Sequence, residues 1–271
     1  MKYSDVIRSL VHLMEQMGFG GNKRIAESLA RAGVKLSRET VRRYRKQPRK
    51  PEPRPSGKTN GRVLKARSAN HIWMMDLTEI SGLFRLFTFK LVVLLDVFSR
   101  FPLAARLFFK EPTAKEMTEI IEAASKTHGI PKHFISDQGS QFTSLLFRNV
   151  LVRLGIKQRF GAIGKTGSIA IVERFWRTMK EMLLLKLRPP LSLQDLWRRV
   201  EVGLVYYALW KPHQGLSGAT PVEMYYGQSP AHVEAKRPSR AYELKDESDQ
   251  QIFEIAYLDP DCLLPVLKKA A

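Results

Sequence analysis

Cysteine is almost missing from this chain. Cys262 stands alone, which excludes an internal disulfide and a cysteine-built zinc site and fits a reducing compartment. Long apolar runs are missing too. No stretch approaches the ~20 uninterrupted apolar residues of a membrane-spanning helix, and the opening MKYSDVIRSL lacks the apolar core of a secretory signal. A soluble, cytoplasmic protein with no membrane partner is expected. No internal repeat is present. Acidic residues are in short supply: 26 Asp and Glu face 45 Lys and Arg, a net charge of +19 in 271 residues. That excess is far beyond what solubility needs and points to a polyanionic partner. The 44% apolar and 10% aromatic content exclude a disordered chain.

The positive charge is uneven. Through residue 67 there are 18 Lys and Arg against 5 Asp and Glu; beyond it the counts are 27 and 21. The front quarter is a basic module on a mildly basic body. Residues 4–17 carry Val6, Leu10, Leu13 (or Val11), Met14 and Met17 at helical spacing before GFGGN breaks the pattern. KRIAESLARAG repeats the pattern with Ile25, Ala26, Leu29 and Ala30, and stops at Gly33. Ser37 then opens SRETVRRYRKQ as an N-cap, with Val41 and Tyr44 directed inward and Arg38, Arg42, Arg43, Arg45 and Lys46 outward. Two short helices across a turn, the second studded with arginines, have the layout of a helix-turn-helix that docks on DNA. A small helical bundle with a solvated basic face is the plainer alternative. No basic helix with bulky aromatics along one face argues for a membrane surface instead. Residues 48–69, rich in proline and positive charge, are expected to form an extended linker between domain 1–47 and the body.

Past the linker the pattern becomes strand-like. IWMMDLTEI (72–80), FTFKLVVLLDVFS (87–99) and FPLAARLFF (101–109) lead into a helical stripe at 113–129. A strand at HFISD, a helix at 144–155, a strand at 157–163 and helices at 168–187 and 193–210 follow, with a weak strand pair around IFEIAYL and LLPVL. Three strands and then alternating helices and strands predict a mixed α/β layer fold.

Three acids occupy odd positions. Asp76 interrupts the first strand, Asp137 ends the apolar run Phe134-Ile135, and Glu173 lies inside the long helix beside a stripe of Val172, Phe175, Met179 and Leu183. A lone strand-end Asp before a turn is ordinarily a solvated turn residue. Converging carboxylates would repel one another, and divalent cations relieve the repulsion. Mg²⁺ takes oxygen ligands and needs one or two carboxylates per ion, and a pair of such ions about 4 Å apart can clamp the attacking and leaving oxygens of a phosphodiester. Asp and Glu, rather than His or Cys, suit that chemistry.

Asp76 lies 61 positions before Asp137, and 35 residues separate Asp137 from Glu173. With the words HIWMMDLTEI, SDQGSQFTS, GSIAIVERFWRTMKEML and KPHQGLSGATPVEMYYG, this spacing resembles the catalytic core of bacterial insertion-sequence transposases and retroviral-type integrases, the DDE family. GNKRIAESLARAGVKLSRETVRRYRK is similar to the helix-turn-helix that such transposases carry ahead of the core. The likeness extends over roughly residues 1–230. It implies a ribonuclease-H-like core at 70–228, an extension at 229–271, two Mg²⁺ (or Mn²⁺) held by Asp76, Asp137 and Glu173, and cutting and joining of double-stranded DNA ends by a homo-oligomer in the bacterial cytoplasm. Many relatives carry an Asn shortly before the Glu, where this chain has Ser168-Ile169-Ala170. Two other outcomes stay open: a transposase-derived DNA-binding regulator with an inert core, and a metal-dependent nuclease that never joins strands.

Other residues are weighed against plainer roles. Arg177 and Lys180, one and two turns past Glu173, are placed as phosphate contacts. Gln141 is a weaker DNA contact. Structural roles are favoured for Asp96 at the second strand's end, for His213, which lacks companion ligands, and for the core aromatics Phe175 and Trp176. Ser136 and Ser140 have no neighbouring His to act as base, which argues against a serine nucleophile.

Overall fold

In β1 (Ile72–Ser81), Ile72, Met74 and Ile80 are buried on one side of the sheet and Trp73 and Met75 on the other, as the two-residue period of a strand requires. A strand apolar on both faces needs cover on both. The computed structural model of the chain describes residues 3–46, 66–81, 88–161, 168–183, 190–227, 253–257 and 264–269. Most of the expected linker 48–69 and of the extension 229–271 lies outside them.

β2 (Thr88–Asp96) runs antiparallel to β1, and β3 (Pro102–Phe108) antiparallel to β2 with a register shift at Leu94/Leu95. The chain then crosses through α4 (Ala114–His128), which opens on a capping box between Thr113 and Glu116. It returns as β4 (His133–Ser136), parallel to β1. α5 (Ser140–Thr143) and α6 (Leu145–Arg153) lead to β5 (Lys157–Phe160), parallel to β4. The sheet order β3-β2-β1-β4-β5, three antiparallel strands extended by two parallel ones, is ribonuclease-H-like. β6 (Phe253–Tyr257) and β7 (Pro265–Lys269) pair separately.

α4 and α6 cover one face, with Met117, Ile121, Phe147 and Leu151 against Trp73, Met75, Val92 and Leu94. α7 (Ser168–Met182) and α8 (Leu193–Val205) cover the other. Val172, Phe175, Met179 and Leu183 form the expected buried stripe of α7 and pack with Leu196 and Val200 on Met74, Leu91 and Leu95. Burying a side chain of this size contributes roughly 1.5–3 kcal/mol, so α7 is held firmly over β1. The helix expected at 193–210 runs α-helical only to Val205; 206–210 form a π turn, closed by the bond from Lys211 N–H to the Tyr206 carbonyl at 2.9 Å. A 3₁₀ turn at Gln214–Leu216 and α9 (Pro221–Tyr226) follow.

α1 (Tyr3–Gln16), α2 (Asn22–Arg31) and α3 (Arg38–Tyr44) surround a core of their own, built on Ile7, Val11, Met14, Ile25, Leu29 and Val41. Val11 takes the inward position and Leu13 is exposed. The Ser37 hydroxyl accepts from the Thr40 N–H at 3.0 Å, an N-cap as expected. This unit is tied to the body by Arg31, which donates to both oxygens of Glu223 at 2.8 and 2.7 Å. Among the described residues, no helix is long and apolar enough to cross a membrane.

Candidate active site

The parallel pairing of β1 and β4 matches Ile72 with His133 and Met74 with Ile135. Two residues further, just past the end of that pairing and of β4, the same register brings Asp76 level with Asp137. Met74 and Ile135 both face the α7 side of the sheet, and parity sends Asp76 and Asp137 to that side as well. Burial pushes the Asp76 carboxyl above its usual range. The Trp176 and Leu77 N–H groups pull it down, and the charge of Asp137 pushes it up again. Asp137 itself is exposed and accepts from the Gly139 N–H at 3.0 Å, a turn that fixes the carboxylate at the strand end.

Over this pair lies α7. The Trp176 indole N–H donates to Asp76 Oδ2 at 2.7 Å, across 100 residues of sequence. Glu173 stands one turn earlier on the same helix face and is solvent-exposed. Among the described residues, no three acid, His or Cys side chains lie close enough together to hold one ion. Two of the three acids therefore meet, while the third sits nearby on the helix that Trp176 pins to Asp76. The donor set is all oxygen, with a partly buried carboxylate already pressed by a like charge, and it fits a hard divalent ion.

Trp176 was legible only as a core aromatic. Its role as the donor that orients Asp76 was missed, although a buried Trp whose N–H must find an acceptor, one turn after a candidate acid, was the available signal.

The remaining candidates divide. Arg38, Arg43 and Lys46 are exposed on or just after α3, and Arg42 is paired with Glu39. Arg45 corrects the expectation that it points outward. Its guanidinium turns inward to Glu15 at 2.5 Å, Asn22 Oδ1 at 2.6 Å and the Gly20 carbonyl at 3.2 Å, joining the three helices instead of facing a ligand. Arg177 and Lys180 are exposed on α7. Gln141 is buried, its side-chain amide against Gly139. Asp96 is fully buried and accepts from the Asn70 N–H, the Ser99 N–H and the Ser99 hydroxyl at 2.9, 2.8 and 2.6 Å, which ties off the β2–β3 turn. His213 is buried, and its Nε2 lies 3.2 Å from the Tyr207 carbonyl. A carbonyl only accepts, so Nε2 carries the proton, and burial holds the ring well below its usual pKa.

A family model described as an integrase core domain matches residues 66–166, a span that contains Asp76 and Asp137 and ends before Glu173. The transposase for insertion sequence element IS904 of Lactococcus lactis subsp. lactis (strain IL1403) is 27% identical over 164 residues, 59% of this chain and 62% of that protein. The Pol polyprotein of Radiation murine leukemia virus (strain Kaplan) is 33% identical over 181 residues, 65% of this chain and 29% of the polyprotein. The chain thus spans less than two thirds of the length of these relatives. Among solved structures, the simian T-cell lymphotropic virus intasome in complex with PP2A regulatory subunit B56 gamma aligns with a TM-score of 0.53 and 18% identity, over 96% of this chain and 86% of that one. That last likeness is one of fold.

Proposed function

We propose that the chain is a member of the DDE-type transposase and integrase family, supported by its integrase core match and its likeness to an insertion-sequence transposase, and that it cuts and joins double-stranded DNA ends by phosphodiester transfer. The observation that carries the reading is the meeting of Asp76, inside β1, with Asp137, just past the end of its parallel neighbour β4, under a helix that bears Glu173 and donates Trp176 to Asp76. Asp76, Asp137 and Glu173 would hold two Mg²⁺ or Mn²⁺. Bound there, the ions supply activation of the attacking oxygen and stabilisation of the leaving one.

The chain's own groups supply position. Trp176 holds one carboxylate oxygen of Asp76 and leaves the other to face Asp137. Arg177 and Lys180, on the Glu173 side of α7, meet the phosphate backbone of the strand being cut. Water adds to phosphorus and the bond to the 3′ oxygen breaks, freeing a 3′-hydroxyl. That hydroxyl attacks a phosphodiester of the target, and one phosphodiester replaces another with no covalent protein intermediate. Residues 1–47 bind the element end through Arg38, Arg42, Arg43 and Lys46, 48–69 link them to the core at 70–228, and 229–271 extend it. A homo-oligomer pairs two ends, and the bacterial cytoplasm is the setting.

The test joins a labelled duplex, taken from inverted repeats flanking the coding region, to a supercoiled plasmid in Mg²⁺. Asp137→Asn and Glu173→Gln should each abolish joining and leave duplex binding within about twofold. Joined product from either variant refutes the assignment; cleavage without joining in the unmodified protein identifies a nuclease, and binding alone a regulator.

A further inference from the structure

Against α7, where Arg174 directly follows Glu173 in the chain, lies a cavity of about 340 Å³ lined by Arg24, Arg100, Arg174, Arg177 and Lys211, with Glu181 as its one acid. The cations come from four separate places: α2, the β2–β3 turn, α7 and the segment after the π turn. No ion pair among the described residues joins Arg24, Arg100, Arg174 or Lys211 to a carboxylate, and Arg100 Nε is buried with no hydrogen-bond partner.. Charges gathered in a half-buried space without counter-charge cost free energy.

The arrangement is also specifically built. Arg100 takes a left-handed backbone, φ 64°, a conformation that costs a non-glycine residue roughly 1–2 kcal/mol. The Arg100 guanidinium lies over Gly215, 2.8 Å from where a Cβ would stand, so the two pack in close contact. Arg24 lies as close to Gly20, 2.9 Å from where a Cβ would be. Lys211 is buried, and burial, followed by the charge of Arg24, pulls its ammonium down to about 7, with Glu181 and Glu27 only partly opposing. Four chain segments thus hold five cations around one space that Glu181 alone lines with an acid, and none of Arg24, Arg100, Arg174 and Lys211 is closed into an ion pair among the described residues.

We propose that this cavity is a phosphate site that seats a backbone phosphodiester of the bound DNA, next to the strand that reaches Asp76, Asp137 and Glu173. The assignment to DNA rests on the function proposed above; the oxyanion chemistry stands apart from it. The volume lies within the ~300–1,000 Å³ of ordinary ligand pockets and leaves room for a sugar beside the phosphate. Arg177 borders both the cavity and the Glu173 face, so one strand can touch both. Arg24 brings α2 of the amino-terminal unit to the same phosphate, which couples that unit's position to DNA in the core.

Binding is measured on the full chain in EDTA, so that loss of catalysis and loss of this site are read separately. The probes are a fluorescein-labelled duplex, titrated across 50–200 mM salt, and inorganic phosphate, followed by its effect on thermal unfolding. Lys211→Met and Arg174→Gln are the variants; Lys126→Met, exposed on α4, controls for simple loss of charge. The expected result is a fall of about one in the slope of log affinity against log salt for each pocket variant, a phosphate-induced rise in Tm of about 2 °C or more that both variants lose, and no change for Lys126→Met. If the phosphate response disappears while the duplex slopes stay put, the site takes a free anion and the DNA assignment falls. If neither measurement separates the pocket variants from the control, the cations are structural and the proposal is overturned.

Discussion

Removing the charge of Lys211 should make the protein more stable near neutral pH, although the residue sits in a cluster that looks functional. In the folded chain its ammonium titrates at about 7, against 10.5 for an ordinary lysine. Below pH 7 both the folded and the unfolded chain carry the proton, and the folded state bears the whole desolvation penalty. Between 7 and 10.5 the unfolded chain binds a proton that the folded chain does not, so folding stability rises with pH by up to ~1.4 kcal/mol per unit. Above 10.5 the penalty is gone. The gap of about 3.5 units sets its ceiling at about 5 kcal/mol. Lys211→Met keeps the length of the side chain and removes the charge, and it should therefore be stabilised by a few kcal/mol at pH 6.5, with the advantage shrinking steadily toward pH 10. Urea unfolding of both proteins at pH 6.5, 8 and 9.5 measures this. Titrations of groups that do not sense Lys211, those of Tyr206 and Tyr207 included, cancel in the difference. A variant no more stable than the parent at pH 6.5, or an advantage that does not change with pH, would show that Lys211 is either solvated or already paired, and the electrostatic account of the cavity would go with it.

Trp176→Phe keeps the aromatic packing against Phe175 but deletes the donor to Asp76; the Mg²⁺ concentration that half-saturates strand joining should rise about 10- to 100-fold, with duplex binding in EDTA unchanged, and an unaltered metal dependence would reduce the bond to packing. In the amino-terminal unit, two arginines two residues apart should behave oppositely. Arg45→Ala removes a guanidinium bound to Glu15, Asn22 and Gly20 and should lower stability by about 1.5–3 kcal/mol. Arg43→Ala, exposed on the helix surface, should leave Tm unchanged and cut the salt slope of duplex binding by about one. Equal effects from the two would mean that α3 does not present its outer face to DNA.

What the sequence made legible is whatever repeats with a short period. The strand at 72–80 follows from its short apolar run, the stripe of α7 from spacing of three and four, and the N-cap of α3 from one serine placed before an arginine-rich turn. The meeting of Asp76 with Asp137 is half local: Asp137 ends an apolar run that reads as a strand, but β1 runs on past Asp76 to Ser81, and only the parallel register of β1 with β4 sets the two level. What stayed hidden depends on partners chosen in three dimensions. Nothing around Arg45 distinguishes it from Arg43; Glu15 and Asn22, 30 and 23 residues back, decide that one turns in and the other out. Trp176 reads as filler until the helix is laid on β1 and its N–H meets the one carboxylate within reach. The cavity is the extreme case, because its cations stand at 24, 100, 174, 177 and 211 and only Arg174 and Arg177 share a window of sequence. A buried charge without a counter-charge is invisible to pattern, and it becomes visible only when the fold has fixed which groups are out of water.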